Sequence, residues 1–202
     1  MPPSGTRSPI ISTERTASAG WIEHHVEIVH LLASPRHRYD GRPADGPEPL
    51  PAHAASEIRE EIELREGRGI VGDRFFGHGA HKTALVTVMA EESLHRVRED
   101  LGVPHPLDPA ATRRNIILRG VDVDRLPRTP FSLDSGSGPV LFQGHRPANP
   151  CAWMDVVLAP GAHKALRGRG GVRCEPLTDG RLRLGPALLR APLDLRHAPT
   201  LL

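Results

Sequence analysis

The stretch FSLDSGSGPVLF, residues 131–142, decides the fold class of this chain. Two short apolar runs flank a central segment made only of Asp, Ser, Gly and Pro. Such residues change the direction of the backbone, whereas short apolar runs rich in β-branched and aromatic residues suit strands. The pattern therefore predicts two neighbouring strands joined by a turn.

Similar short runs occur on both sides of this pair. Asp179-Gly180 separates two of them, and an Asp-Gly pair between apolar runs is a strong hairpin signal. The other predicted strands are 26–32, 58–64 (with a helical turn as the alternative), 85–89, 115–118, 172–177 and 181–184, and helices are predicted over 91–100 and from 152 onward. Six or more short strands with two helices are typical of a closed or nearly closed β-barrel. We therefore expect a mainly β protein with a few short helices.

Composition and charge narrow the classes of partner. The chain has 202 residues, 38% of them hydrophobic, and a formal net charge of +2 with no block of like charge. A nucleic-acid surface is not required by this balance. There is no run of 18 apolar residues and no apolar signal segment near the N-terminus. We expect a cytoplasmic protein with no nucleic-acid and no membrane partner.

The sequence pattern divides the chain into three parts. Residues 1–22 lack apolar periodicity and are expected to form a disordered leader. Residues 25–190 are expected to form a single barrel domain, and residues 191–202 a loose tail. The proline-rich segment 34–53 is a long loop of the kind that covers or lines binding sites.

The two cysteines differ in context. Cys151 follows Pro150 and precedes a predicted helix, whose N-terminus stabilises a thiolate, the form that attacks substrates and binds soft metals. A small buried side chain is the alternative. Cys174 lies in a predicted strand whose neighbouring residues face the other way, so we expect it in the core. No zinc-type or CxxC spacing surrounds either cysteine.

Two polar segments hold further candidate site residues. The first is glycine-rich and contains Asp73, Arg74, His78, His81 and Lys82. Asp73 is expected either to set a turn or to orient Arg74. His78 and His81 form a possible metal pair that lacks a third ligand at a helical offset.

The second polar segment is Arg113-Arg114-Asn115, directly before a predicted strand. Arginine binds phosphate bidentately, so these residues are candidate anion ligands on the protein surface. The alternatives are a solvated strand edge for the arginines and satisfaction of local backbone groups for Asn115.

Four motifs in a fixed order resemble the MOSC domain, the C-terminal module of molybdenum cofactor sulfurases that also occurs as stand-alone bacterial proteins. They are GIVGDR at 69–74, RRNI at 113–116, PC at 150–151 and GRGG at 168–171, ahead of a predicted terminal hairpin. The resemblance covers residues 25–190. It implies a β-barrel related to the barrel domain of pyruvate kinase.

The resemblance also implies a site for the molybdenum cofactor, a molybdopterin whose metal is held by one protein cysteine. That cysteine falls on Cys151. The resemblance also implies cofactor-binding positions at Arg113, Asn115, His78 and Lys82. The candidates for holding the terminal phosphate are Arg113, Arg114 and Lys82. Asp73 is a candidate for orienting Arg74 or the pterin. A soft thiolate suits molybdenum, and arginine or lysine suits a phosphate.

Three functions remain open at this stage. The first is a molybdenum-dependent oxidoreductase that performs two-electron reduction or oxo transfer on a small molecule, supplied with electrons by an external donor protein, with the 34–53 loop near the mouth of the site. The second is a non-catalytic carrier of the cofactor or of sulfur, with a persulfide on Cys151. The third is a β-barrel interaction scaffold without cofactor. A separate N-terminal barrel, as in amidoxime-reducing relatives, is not recognisable, so their substrate class does not carry over.

Overall fold

A computed structural model describes residues 20–51, 53 and 56–197. The strands are β1 (Ile22–Leu31), β2 (Glu61–Arg65), β3 (Gly69–Ile70), β4 (Val86–Ala90), β5 (Ile116–Arg119), β6 (Pro130–Asp134), β7 (Val140–Pro147), β8 (Val172–Pro176), β9 (Gly180–Arg183) and β10 (Gly185–Ala191). The α-helices are α1 (Glu91–Asp100), α2 (Met154–Val157) and α3 (Ala162–Ala165).

Seven strands close into a barrel in the order β1-β10-β6-β7-β8-β4-β5, and β3, β2 and β9 form a separate small sheet. The predicted mainly β barrel with a few short helices is confirmed. Closure removes the free edges that an open sheet would present. The apolar faces of the barrel strands meet inside it, where Phe131 and Phe142 stack with ring centroids 5.1 Å apart.

The predicted β6–β7 pair forms as expected, with Phe131 opposite Phe142 in an antiparallel register. Asp134 closes the turn, since its Oδ1 accepts hydrogen bonds from the backbone N–H groups of Gly136 (2.7 Å) and Gly138 (3.1 Å). Both glycines have positive φ angles, 99° and 95°, which glycine adopts without a steric penalty.

The cleft described below lies beside the one parallel pair of the barrel, β4 and β5. Parallel neighbours need a crossover connection, and α1 provides it at the residues that the sequence predicts, 91–100. Leu94 and Val97, three residues apart, are the apolar face that α1 buries. They join a second apolar cluster on the outside of the barrel that also contains Trp153 and Met154. This cluster anchors the segment that follows Cys151.

The predicted β8–β9 hairpin is wrong. The chain does turn at Asp179, but β8 pairs with β7 and β4, whereas β9 pairs with β2 of the small sheet. The reason is a tertiary one, because the Asp179 carboxylate accepts hydrogen bonds from Glu66 N–H and Arg65, both at 2.8 Å. These contacts tie the turn to the β2–β3 connection and separate the two strands.

The domain boundaries differ from expectation at both ends. The expected leader, 1–22, falls largely on residues 1–19, which lie outside the described residues, but Ile22 already opens β1. The expected tail, 191–202, begins inside β10, and residues 198–202 also lie outside the described residues. Residues 192–197 are not loose, because Leu195 is fully buried and its carbonyl accepts a 2.7 Å hydrogen bond from Asp122 N–H. None of the helices in the described part of the chain has the length and apolar character needed to cross a membrane.

Candidate functional site

A cleft with a volume of about 410 Å³ lies on the outer side of the barrel, beside the first residues of β4 and β5. The loop after β1, the turn after β3, the segment before β5 and the segment 149–154 line it. Its charged lining comprises the arginines Arg74, Arg113, Arg114 and Arg173 and the carboxylate Asp73, as far as the structure describes the chain. A cleft of this size and charge suits an anionic small molecule.

Cys151 lines this cleft and its side chain is exposed, whereas Cys174 is fully buried in the barrel. The backbone turns at Cys151 because Met154 N–H donates a 3.0 Å hydrogen bond to its carbonyl. The helix expected from residue 152 onward forms, but it is shorter than expected, since α2 has only four residues. The macrodipole of a single turn is small, so exposure and the charged cleft are what distinguish Cys151. The prediction of a core position for Cys174 is confirmed, and burial raises the pKa of its thiol.

Arg114 clamps residues 148–154, here called the Cys151 segment, to the barrel. Its Nε donates to the carbonyl of Gly170 at 2.9 Å, and its Nη2 donates to the carbonyl of Ala148 at 2.7 Å. Burial, together with the positive charge of Arg173, lowers the pKa of Arg114 to about 10, so the guanidinium still carries its charge near neutral pH. The sequence predicts Arg114 as a candidate phosphate ligand, with a solvated strand edge as the alternative. The structure shows that two of its three nitrogens already bind backbone carbonyls.

Two glycines of the GRGG motif, Gly170 and Gly171, are required by close backbone packing at the same place. A Cβ atom at Gly170 would lie 2.1 Å from the carbonyl oxygen of Ala148, and one at Gly171 would lie 2.0 Å from that of Val88. Gly171 also has a φ of 85°, and its N–H donates a 2.7 Å hydrogen bond to Asp124. Only glycine allows residues 170–171 to pack against β4 and the Cys151 segment.

Arg113 forms a buried ion pair with Glu57. The two contacts are bidentate, 2.6 Å from Nη1 to Oε2 and 3.2 Å from Nη2 to Oε1, and the side chains are only 8% and 5% exposed. Burial favours a raised pKa for Glu57, but hydrogen bonds from Arg113 and Ser34 and the charges of Arg113 and Arg38 outweigh it and lower the pKa. The predicted surface position of Arg113 is therefore wrong. Arg113 reaches the cleft wall, but its charge is balanced by Glu57.

Asn115 and Asp73 hold the walls of the cleft together. Asn115 Oδ1 accepts a hydrogen bond from Thr87 N–H at 3.0 Å, and its Nδ2 donates to the carbonyl of Leu32 at 3.1 Å and to Asp73 Oδ2 at 3.2 Å. Asp73 Oδ1 accepts from Phe75 N–H at 3.0 Å. Of the alternatives left open by the sequence, the structure shows a backbone-satisfying role for Asn115 and a turn-setting role for Asp73.

Tyr39 is a cleft residue that the sequence did not single out. Its ring stacks on Trp153 with centroids 5.1 Å apart, and its hydroxyl donates a 2.5 Å hydrogen bond to the carbonyl of Ala111. Burial raises the pKa of Tyr39 to about 12. The stacking holds the start of the 34–53 loop against the Cys151 segment. This part of the loop lies at the cleft, as the sequence predicts.

Arg74 and His37 occupy the end of the cleft formed by the same loop. Arg74 Nη1 donates to the carbonyl of Arg36 at 3.2 Å, and its buried Nε has no partner among the described residues. Burial and the charge of Arg74 lower the pKa of His37. Arg74 therefore retains a donor that the described residues do not satisfy. A lone histidine in a proline-rich loop carries no sequence signal that would have identified His37.

His78 and Lys82 are not part of the cleft lining, in contrast to the prediction. The segment Gly79–Ala84 forms a 3-10 helix, from which His81 lines the cleft instead. Lys82 is exposed, and its Nζ lies 3.4 Å from Glu175. Within the described residues, no three or more His, Cys, Asp or Glu side chains are grouped so that they could hold a metal ion.

A family model for the MOSC domain matches residues 76–188 of the 202. The chain belongs to the MOSC domain family. The match includes β4, β5, the Cys151 segment and the GRGG motif, and the predicted family resemblance is confirmed. MOSC domains are associated with binding of the molybdenum cofactor.

Solved structures agree on the fold of this MOSC domain. The YuaD protein from Bacillus subtilis is 16% identical, with a TM-score of 0.64 over 86% of this chain and 100% of that chain. YiiM from Escherichia coli is 15% identical, with a TM-score of 0.50 over 88% of this chain and 71% of that chain. At these identities the likeness shows the fold alone. The comparison with curated proteins gave no significant match.

Proposed function

We propose that this MOSC domain binds a molybdopterin cofactor in the cleft beside Cys151 and acts as an oxidoreductase on a small molecule. The observation that carries the proposal is an exposed thiol at the edge of an arginine-lined cleft. Proteins use such a thiolate as a ligand for soft metals, and such a cleft for anionic ligands.

The residues present fit a cofactor of this kind. Cys151 is the exposed cysteine of the pair, and a thiolate is the side-chain donor that soft metals prefer. The cleft volume, about 410 Å³, lies within the range of small-molecule sites. Two cleft arginines, Arg74 and Arg113, keep a buried Nε without a partner among the described residues. Buried donors without partners are costly, and a polar ligand would satisfy them.

In this proposal each residue of the cleft has a separate role. When bound, a molybdenum cofactor supplies two-electron redox chemistry with transfer of an oxygen atom. Cys151 holds the metal, Arg114 keeps the Cys151 segment in place, and the stacked pair Tyr39 and Trp153 shields one side from water. Electrons come from an external donor protein, and the small-molecule substrate enters from the open side. A free thiol of this kind is maintained in the reducing cytoplasm.

Metal and pterin analysis of the full chain tests the proposal. The wild type, Cys151→Ser and Cys174→Ala are purified from a host that makes the cofactor, and molybdenum and pterin are measured per chain. We expect both in the wild type and in Cys174→Ala, which changes a buried thiol remote from the metal, and loss of molybdenum in Cys151→Ser. A wild type without molybdenum, or full occupancy of Cys151→Ser, contradicts the proposal.

The exposure of Cys151 also favours a second candidate function, that of a sulfur carrier with a persulfide on this thiol. A carrier needs a thiol that a second protein can reach. Cyanide-labile sulfur measured on the purified chain separates the two functions. Labile sulfur that disappears in Cys151→Ser, in a protein without molybdenum, supports the carrier.

A further inference from the structure

An irregularity in the barrel wall places two arginines opposite each other beside the cleft. In the β7–β8 pair Gly144 lies opposite Cys174, but Arg146, rather than His145, lies opposite Arg173. The extra residue is a β-bulge, a feature that re-aims side chains next to active sites. Arg173 lines the cleft, and its cross-strand neighbour Arg146 is exposed.

The bulge is held by the loop between β5 and β6. Gly144 N–H donates a 2.9 Å hydrogen bond to the carbonyl of Thr129, and Arg128 N–H donates a 3.1 Å bond to the carbonyl of His145. A Cβ at Gly144 would lie 2.3 Å from the carbonyl oxygen of Leu126. The position of Arg146 is therefore built into the packing of the barrel.

Among the described residues, no carboxylate forms an ion pair with Arg146 or Arg173. Burial and the positive charge of Arg146 both lower the pKa of Arg173, so the two guanidinium groups act on each other. The nearby carboxylate of Glu175, two residues further along β8, pairs with Lys82, with 3.4 Å between Lys82 Nζ and Glu175 Oε1. Within the described residues neither arginine has a side-chain hydrogen bond or ion pair. Like charges directly opposite on neighbouring strands are destabilising unless a counter-ion joins them.

The contrast with the other arginines of the cleft singles this pair out. Arg113 is neutralised by Glu57, and Arg114 is bound to the carbonyls of Ala148 and Gly170. We propose that Arg173 and Arg146 form an anion subsite that takes a phosphate-type oxyanion at the edge of the Cys151 cleft. The molecule that brings this anion, the bound cofactor through its terminal phosphate or a phosphorylated substrate, rests on the proposed function, whereas anion binding itself needs no metal.

Titration of the cofactor-free full chain with inorganic phosphate tests the subsite. Isothermal titration calorimetry is run at low ionic strength, because salt screens exposed charges. We expect Arg173→Gln to weaken phosphate binding by at least about tenfold, the loss of one charge-assisted contact, and Arg146→Gln to weaken it less because Arg146 is more exposed. The matched control is Arg167→Gln, an exposed arginine outside the cleft, which leaves binding unchanged.

Arg173→Lys keeps the charge and recovers part of the affinity, which excludes misfolding as the cause of the loss. A wild type that does not bind phosphate, or an Arg173→Gln variant that binds it like the wild type, overturns the subsite.

Pterin content then identifies the source of the anion. Pterin lost from Arg173→Gln in a cofactor-producing host indicates the cofactor phosphate, and pterin retained there indicates a substrate anion. Phosphate binding without molybdenum in the wild type contradicts the proposed function and leaves the subsite standing.

Discussion

Replacement of Arg113 by alanine tests how the cleft wall is held. The variant leaves the Glu57 carboxylate, 5% exposed, without its bidentate partner. Removing one member of a buried ion pair costs about 3–5 kcal/mol, compared with at most about 1 kcal/mol for an exposed pair. We therefore expect a loss of about 3–5 kcal/mol in the free energy of unfolding at pH 7, measured by urea denaturation. Arg65→Ala, which breaks the exposed contact to Asp179, is the control.

The dependence on pH provides a second signature. In the wild type the pKa of Glu57 is lowered from its ordinary value of 4.5, so the pair contributes its stability above that value and loses it as the pH falls below. In Arg113→Ala the loss of the Arg113 hydrogen bonds and charge raises the pKa of Glu57 relative to the wild type, with Ser34 and Arg38 left to lower it, so the folded variant takes up a proton at a higher pH and is stabilised relative to the wild type as the pH falls. The difference between the two proteins should shrink between pH 7 and pH 5.

The double variant Arg113→Met with Glu57→Leu removes both charges and should recover most of the loss. A cost below about 1 kcal/mol in Arg113→Ala, equal at pH 7 and pH 5, would show that the pair behaves as a solvated surface contact. The account of the cleft wall would then be wrong.

Three further predictions follow from the same contacts. Cys174→Ser should cost about 1–3 kcal/mol in unfolding free energy because it buries a hydroxyl, whereas Cys151→Ser at the exposed position should change it by less than about 0.5 kcal/mol; equal costs in urea denaturation would contradict the burial difference. Asn115→Ala should cost about 2–3 kcal/mol in the same assay, since buried partners lose their hydrogen bonds, and a neutral result would refute the tethering role. Gly170→Ala should cost about 1–3 kcal/mol and speed thiol labelling of Cys151, because the new Cβ displaces the Ala148 carbonyl; an unchanged labelling rate would argue against it.

Local sequence patterns predicted the structure correctly where the contacts that form an element lie within the same segment of chain. The β6–β7 pair and α1 are examples, since Asp134 closes its own turn and α1 buries its own apolar face. The Asp179 turn is a case in which distant contacts override the local pattern. The local signal specified a change of direction, but contacts with Arg65 and Glu66, distant in sequence, decided which strands pair.

The candidate site divides in the same way. The sequence identified the exposed cysteine, the four motifs and three of the four arginines that line the cleft. It did not show that Arg113 is bound to Glu57, because the two residues are 56 positions apart and Glu57 comes from a loop without a motif. It did not single out Arg173 as a site residue, because the bulge that pairs it with Arg146 depends on packing against the loop before β6.

The sequence was enough to predict the alternation of short strands and turns, the family and the residue types available for chemistry, because these depend on local composition and spacing. The three-dimensional contacts determine which polar groups have a partner within the protein. Contacts between distant segments give Arg113, Arg114, Asn115 and Asp73 partners within the protein, whereas the Cys151 side chain stays exposed and Arg173 lines the cleft. A buried polar group must find a partner, and which partner it finds is set by the packing of the whole barrel.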